Sequence, residues 1–252
     1  MKTEPLFSII TVCYNSQKTI ERTIKSVLHQ DFKDYEYIII DGSSTDGTVE
    51  IIKKYEPLFC GRMRWISEPD NGIYDAFNKG IRCSKGKLTW LVNSDDYIEK
   101  NALSVISNAY SLYSTDNYPI ISFAANFIKD GKFVKKLYSS ENGRIRAFKH
   151  NYQGIVHPAT IIPKYVYNKV GMYDERFKIA GDKDFFHRAY KQGVYIEDVD
   201  KIITNMTFGG VSTNSHNDIM KKDQLLFFKN KYNSYVLSYL HFFYWLLKNA
   251  YK

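Results

Sequence analysis

Residues 88–96, LTWLVNSDD, run from an apolar stretch straight into an amide, a hydroxyl and two carboxylates. An apolar run containing Trp90 and Val92 reads as a buried strand, and in open α/β sheets ligands gather just beyond the carboxyl ends of strands. Asn93, Ser94, Asp95 and Asp96 would stand there. Paired carboxylates are hard oxygen ligands suited to Mg²⁺ or Mn²⁺, which such sites share with the phosphates of a substrate. The same pair could equally cap the helix expected from about Asn101. Two further residues bear on the choice. Tyr14 closes the apolar run 6–14 (LFSIITVCY), and Asp41 closes the run 35–40. Tyr14 could stack on a base, Asp41 could accept a hydrogen bond from a ring nitrogen, and a cation at Asp95 could neutralise a diphosphate.

The elements that must position these residues alternate along the chain. Strand 6–14 precedes a helix expected after Ser16, with Ile20, Ile24, Val27 and Leu28 on one face. Strand 35–40 ends in the turn signal Asp41-Gly42-Ser43-Ser44-Thr45-Asp46-Gly47, before a helix with Ile51, Ile52 and Tyr55. A short strand at 63–67, a helix at 73–83 and the strand at 88–92 follow. Strand, helix, strand, helix implies an α/β fold with a parallel sheet, whose strands carry their carboxyl ends to one edge. Asp41 and the 93–96 group then share that edge. Beyond it the pattern changes. A helix over 102–112 leads to two strand-like runs joined by Asp130-Gly131, a hairpin signal that adds a small antiparallel element. Residues 155–163 predict one strand, 182–191 a helix and 194–204 a last strand, followed by a loop with Gly209-Gly210 that could close over a ligand.

With 252 residues, 44% of them hydrophobic, the chain can bury a full core, which excludes a disordered chain. Three cysteines without CxxC spacing predict free thiols in a cytosolic setting, and the N terminus shows no secretory pattern. The net charge of +8 could suit nucleic acid, anionic lipid or phosphorylated substrates. The basic residues are scattered or gathered in the tail, without a recognition motif, so no nucleic-acid partner is expected. The tail, 218–252, contains YVLSYLHFFYWLL at 235–247, short of the ~20 residues a membrane span needs. It is expected to be helical, either packed on the domain or lying on an anionic membrane, where Trp245, the tyrosines and Lys221, Lys222, Lys229, Lys231, Lys248 and Lys252 would suit the interface.

Six motifs in order carry a resemblance: SIITVCYN (8–15), IIIDGSSTDGT (38–48), SEPDNGIYDAFNKGI (67–81), WLVNSDDY (90–97), HPAT (157–160) and GMYDERFKIAGDKDFFHRA (171–189). The chain resembles the family 2 glycosyltransferases of GT-A fold, particularly those that build bacterial surface polysaccharides. The resemblance implies a Rossmann-like, mainly parallel central sheet with helices on both faces, a domain over 1–217 and the tail beyond it. It implies that Thr11, Tyr14, Asn15, Asp41 and Asp70 line a nucleotide-sugar donor, UDP-linked before GDP-linked. Asn93-Ser94-Asp95 occupies the family's Asp-x-Asp position, with Asn93 as a departure, so Mn²⁺ or Mg²⁺ would depend on Asp95 and the diphosphate. His216 is a further candidate for the metal shell.

The resemblance also implies that Asp182 is the base of a single inverting displacement onto a saccharide or lipid-linked saccharide, with Asp184 as the fallback. The family often has an acidic residue where this chain has Gly181. His157 and Arg188 are candidates for acceptor or phosphate contacts, although a buried, hydrogen-bonded histidine is the commoner situation. The expected place is the cytoplasm, or the cytoplasmic face of the inner membrane. Two rivals stay open. A catalytically silent nucleotide-sugar or membrane-binding module would bind donor without turnover. A sugar-phosphate nucleotidyltransferase would need a glycine-rich loop after its first strand, where this chain has Tyr14-Asn15-Ser16-Gln17.

Overall fold

Every residue of β1 (Phe7–Cys13) is buried. Ile9 and Cys13 enter one core while Ile10 and Val12 enter another on the opposite face, which is why apolar residues fall on both faces of the strand instead of alternating with polar ones. The computed structural model describes residues 4–114, 118–150, 154–209, 217–232 and 234–249. In it, β1 lies between β2 (Tyr35–Asp41) and β4 (Leu88–Leu91), and β3 (Met63–Ser67) pairs with β2, all parallel. The register sets Cys13 beside Asp41 and Asp41 beside Ser67. Four carboxyl ends therefore share one edge.

Past β4 the sheet turns antiparallel with β8 (Thr160–Pro163), then runs through β6 (Ile120–Lys129) and β9 (Ile196–Thr207) to β5 (Tyr97–Ile98). β7 (Lys132–Leu137) forms the expected hairpin with β6. Its turn residues Asp130 and Gly131 both have positive φ, 50° and 72°, which matches the twist of a tight hairpin.

On one face α1 (Ile20–Leu28), α2 (Thr48–Tyr55) and α4 (Ala102–Tyr110) bury Ile20, Ile24, Val27, Ile52, Leu103 and Ile106. On the other lie α3 (Ile73–Cys83), α5 (Glu141–His150), α6 (Lys164–Val170), α7 (Gly181–Lys191) and α8 (Asn217–Tyr232). They bury Phe77, Phe148, Val166, Phe185, Phe227 and Phe228 there. Helix α3 sits close to the sheet, since a Cβ on Gly80 would come 2.4 Å from the Ile10 side chain. Helix α9 (Tyr235–Asn249) lies along α8, with the Ser238 hydroxyl donating to the Phe228 carbonyl at 3.1 Å and the Tyr232 and His241 rings stacked at 4.4 Å.

Three boundaries differ from expectation. The first helix begins at Ile20, because Ser16 is taken up in a turn whose carbonyl accepts the amides of Thr19 and Ile20. The strand expected over 155–163 opens as a 3₁₀ turn, His157–Ala159, where Pro158 has no N–H to give a ladder. The strand before the acidic pair stops at Leu91, and a two-residue strand, β5, follows that pair.

Candidate functional site

The loops after β1, β2 and β3 interlock before they could touch any ligand. Asn15 adopts positive φ, and its side-chain carbonyl accepts the Thr45 N–H at 2.9 Å. Asp41 is fully enclosed. One oxygen accepts from the Ser44 hydroxyl and the Cys13 thiol, the other from the Ser44 N–H at 3.0 Å and the Ser67 hydroxyl at 2.6 Å. Burial, then the Asp41 charge, push the Cys13 thiol well above its ordinary pKa, so it stays a donor. Above this floor Tyr14 is 63% exposed, its ring available on a face. Asp70 accepts the Gly72 N–H at 2.9 Å and leans over Gly42, where a Cβ would meet its oxygen at 2.5 Å. Gly42 thus keeps Tyr14 and Asp70 side by side at the mouth.

The loop after β4 is fixed from α1. Thr23 donates to the carbonyls of Ser94 and Asp96, Arg22 donates to the Asp95 carbonyl at 2.7 Å, and the hydroxyls of Ser16 and Ser94 meet at 2.9 Å. The two carboxylates part ways. Asp96 is buried, accepting the Thr207 N–H at 2.9 Å and the Asn93 amide at 3.1 Å. Burial, then the neighbouring Asp95, push its pKa up to about 7. Asp95 is half-buried, and burial raises its pKa against the opposing charge of Arg22. Among the described residues no cluster of three or more His, Cys, Asp or Glu could hold a metal. With Asn93 tied to the buried Asp96, the 93–96 loop offers one partly exposed carboxylate, Asp95, a donor set that fits a cation arriving with a diphosphate.

Asp182 stands in the first turn of α7, held against the 71–74 segment. Its N–H donates to the Tyr74 hydroxyl at 3.3 Å, that hydroxyl donates to the Ile179 carbonyl at 2.7 Å, and the Lys178 ammonium reaches the Asn71 carbonyl at 2.9 Å. Burial raises the Asp182 pKa, with His157 and Lys183 opposing. The glycine before it has a steric reason, since a Cβ at Gly181 would strike the Tyr74 ring at 2.8 Å. Lys183 points inward, donating to Gln224 at 2.9 Å, and burial pushes it down to about 7.

Several expected contacts are not brought to this edge. Thr11 is fully buried within β1 and its hydroxyl accepts from Tyr37 at 3.1 Å, so its side chain belongs to the sheet interior and not to a donor surface. Arg188 spends its guanidinium on Asp184 at 2.7 Å and on the carbonyls of Val170 and Met172, and Asp184 accepts a second bond from Asn230. That pair ties α7 to its neighbours. His157 is buried, bonded to the Tyr173 hydroxyl at 3.0 Å and packed on Phe77 and Phe186. Burial lowers its pKa, with the Asp182 charge opposing. His216 lies outside the described residues, as do residues 210–212 of the expected glycine loop. Sequence reasoning missed Arg22 and Tyr74. Neither carries a clear signal: Arg22 sits in the first turn of α1 beside Glu21, where a charge predicts only a solvated face, and Tyr74 is an aromatic on a helix, which predicts core.

The profile of Glycosyl transferase family 2 matches residues 8–171. The chain belongs to that family. An uncharacterised glycosyltransferase of Mycobacterium tuberculosis is 32% identical over 190 residues, 75% of this chain and 70% of the relative. A PGL/p-HBAD biosynthesis glycosyltransferase of Mycobacterium bovis is 27% identical over 228 residues, 88% of this chain and 83% of the relative. Among solved structures, residues 1–349 of TarS from S. aureus, in complex with UDP-GlcNAc, superpose with a TM-score of 0.71 at 21% identity, covering 93% of this chain and 69% of that one. Against the longer TarS chain the coverage is 41% of that chain. The mannosyltransferase PcManGT of Pyrobaculum calidifontis, in complex with GDP-Man and Mn2+, gives 0.66 at 14% identity, covering 92% and 66%. The fold of this family 2 glycosyltransferase is GT-A.

Proposed function

We propose that this family 2 glycosyltransferase moves a sugar, with inversion, from a nucleoside diphosphate donor to a hydroxyl of a lipid-linked saccharide in bacterial surface polysaccharide assembly. UDP is the first choice of carrier and GDP the second. The reading rests on one observation. Asp182, a carboxylate made more basic by burial, is clamped through Tyr74 to the segment that bears Asp70, at the sheet edge where Asp95 also stands. The UDP-GlcNAc complex of TarS and the mycobacterial relative named for PGL/p-HBAD biosynthesis support the donor class and an envelope glycan.

The donor base would stack on Tyr14 above the braced 41–45 loop, with Asp70 at the ribose. Asp41, enclosed as it is, could reach the base only if Ser44 gave way; otherwise it acts by holding the loop. Asp182 takes the proton of the acceptor hydroxyl as that oxygen attacks the anomeric carbon. The bond from that carbon to the diphosphate breaks, and its electron pair leaves with the nucleotide. A divalent cation, Mn²⁺ or Mg²⁺, would be held by Asp95 and the donor phosphates, where it supplies positive charge to the departing diphosphate. No acid is required for that leaving group.

Helix α9 supports a membrane-facing acceptor. Its inner stripe, Ser238, His241, Phe242 and Trp245, packs inward, whereas Tyr235, Val236, Leu240, Phe243, Tyr244 and Leu247 are exposed, beside Lys229 and Lys248. No helix among the described residues is long and apolar enough to cross a membrane. The exposed aromatic face with its lysines suits the surface of an anionic bilayer, at the cytoplasmic side where nucleotide sugars are made.

Release of UDP or GDP from a panel of nucleotide sugars, with and without Mn²⁺, tests the proposal. Metal-dependent release that falls in Asp95→Ala supports the donor site, and acceptor-dependent turnover that vanishes in Asp182→Asn supports the base. Full turnover in Asp182→Asn overturns the mechanism, and tight donor binding without turnover on lipid extracts favours a silent binding module.

A further inference from the structure

The turn that delivers Asp182 is built from outside its own helix. Residue Ala180, which precedes α7, offers no side-chain cap. A helix start needs acceptors for its first N–H groups and favours negative charge there. Asp223, on α8, brings the negative charge and braces the turn that leads into the helix, from residue 178 to the capping position 180. It is 3% exposed, and its carboxylate accepts the N–H groups of three successive residues: Lys178 at 3.0 and 3.1 Å, Ile179 at 2.6 Å and Ala180 at 2.9 Å. Asp182 follows two residues later. The Tyr74 hydroxyl grips the same turn from the opposite side, through the Ile179 carbonyl and the Asp182 N–H.

We propose that Asp223 is a positioning residue for the reaction, a carboxylate on α8 that fixes the backbone of the turn 178–180 so that Asp182 meets the acceptor hydroxyl. The inference rests on the assignment of Asp182 as base. It gives the tail a role that its aromatic, lysine-rich composition does not suggest. Helix α8 belongs to the reacting body, which it also enters through Phe227 and Phe228, and α9 alone is the appendage. An amide in place of Asp223 keeps one acceptor oxygen but turns an NH₂ toward a row of donors, so the turn loosens without losing the core around it.

The test is steady-state release of UDP from UDP-GlcNAc, or of nucleotide from whichever donor the panel selects, for wild type, Asp223→Asn, Asp223→Glu and Asp182→Asn. In Asp223→Asn kcat is expected to fall tenfold or more while KM for the donor stays within about twofold. The acid limb of its pH profile moves to lower pH, as Asp182 loses the placement that raises its pKa. Partial recovery in Asp223→Glu, which keeps the charge, is the accompanying signature. A merely destabilising substitution would lower the active fraction and leave KM, pH limb and ranking untouched. Loss of turnover in Asp182→Asn with an unchanged kcat and pH limb in Asp223→Asn overturns the positioning role alone. Undiminished turnover in Asp182→Asn overturns the base assignment itself. Hydrogen exchange on the wild-type protein needs neither turnover nor a folded variant: the amides of 178–180 are expected to exchange as slowly as those of α7, and exchange at the rate of an open loop overturns the proposal.

Discussion

Two sets of carboxylates stand at the same sheet edge and are treated in opposite ways. Asp41 and Asp46 are saturated. Asp41 takes four donors, and Asp46 takes the amides of Gln17 and Thr48 with the Thr48 hydroxyl. Burial acts to raise the Asp46 pKa, but those bonds outweigh it and hold the group below its ordinary value. Asp95 and Asp182 are desolvated first and compensated less, and both are shifted upward. The bonds of the first set fix loop geometry. The second set is raised in pKa by burial, a condition common among groups that react. Residue type alone does not separate the sets; the balance of hydrogen bonds against burial does.

That contrast predicts a crossed outcome. Asp182→Asn is expected to cost about 10²–10⁴ in turnover and under about 1 kcal/mol in stability. Asp41→Ala strands the Ser44 N–H and the hydroxyls of Ser44 and Ser67, and is expected to lower stability by about 2–4 kcal/mol, read as a lower urea midpoint. Equal stability losses in the two variants would erase the distinction.

The parallel half of the fold was legible because β1, β2 and β4 are mostly apolar and fully buried and each stops at a turn signal or polar cluster. The edge residues followed from that, since parallel strands bring Tyr14, Asp41 and Asp95 together whatever their side chains do. What was not legible is which polar groups are consumed internally. Thr11 and Tyr37 are 26 positions apart, and only the β1–β2 register makes them partners. Arg188 lies in a motif that suggested phosphate, but the carbonyls of Val170 and Met172 reach it only after α6 packs on α7. Asp223 was hidden for a related reason. Its partners are backbone N–H groups 43–45 residues away, which no side-chain pattern announces.

Helix α9 offers a second contrast, between an inner stripe at helical spacing and an outer face nearly as apolar. If the outer face meets lipid, Phe243→Ser with Leu247→Ser is expected to weaken binding to phosphatidylglycerol-containing vesicles about tenfold or more, each buried side chain being worth roughly 1.5–3 kcal/mol. Both side chains are exposed, so the melting temperature should hold. Cosedimentation reads the binding. Truncation at 217 is the wrong instrument, since it also removes Asp223, Phe227 and Phe228. Concentration-dependent dimerisation that the same pair of substitutions abolishes, with no vesicle binding, would assign the face to a second copy.

The smallest expected effect separates Asp95 from Asp96. Asp96 has a folded pKa of about 7 against an ordinary 3.8, so between these values the folded protein keeps a proton that the unfolded chain has released. Stability therefore falls as pH rises through that window and is level above it. Asp96→Asn cannot titrate. It forfeits one acceptor, to Thr207 or Asn93, at every pH, but escapes the pH-dependent loss. Its melting temperature relative to wild type is expected to improve by a few degrees between pH 5 and pH 8. Asp95→Asn, relieving a neighbouring charge rather than an enclosed one, should show a weaker trend of the same sign. A gap between wild type and Asp96→Asn that stays constant with pH would mean that Asp96 is ionised in the folded protein, held there by its bonds to Thr207 and Asn93.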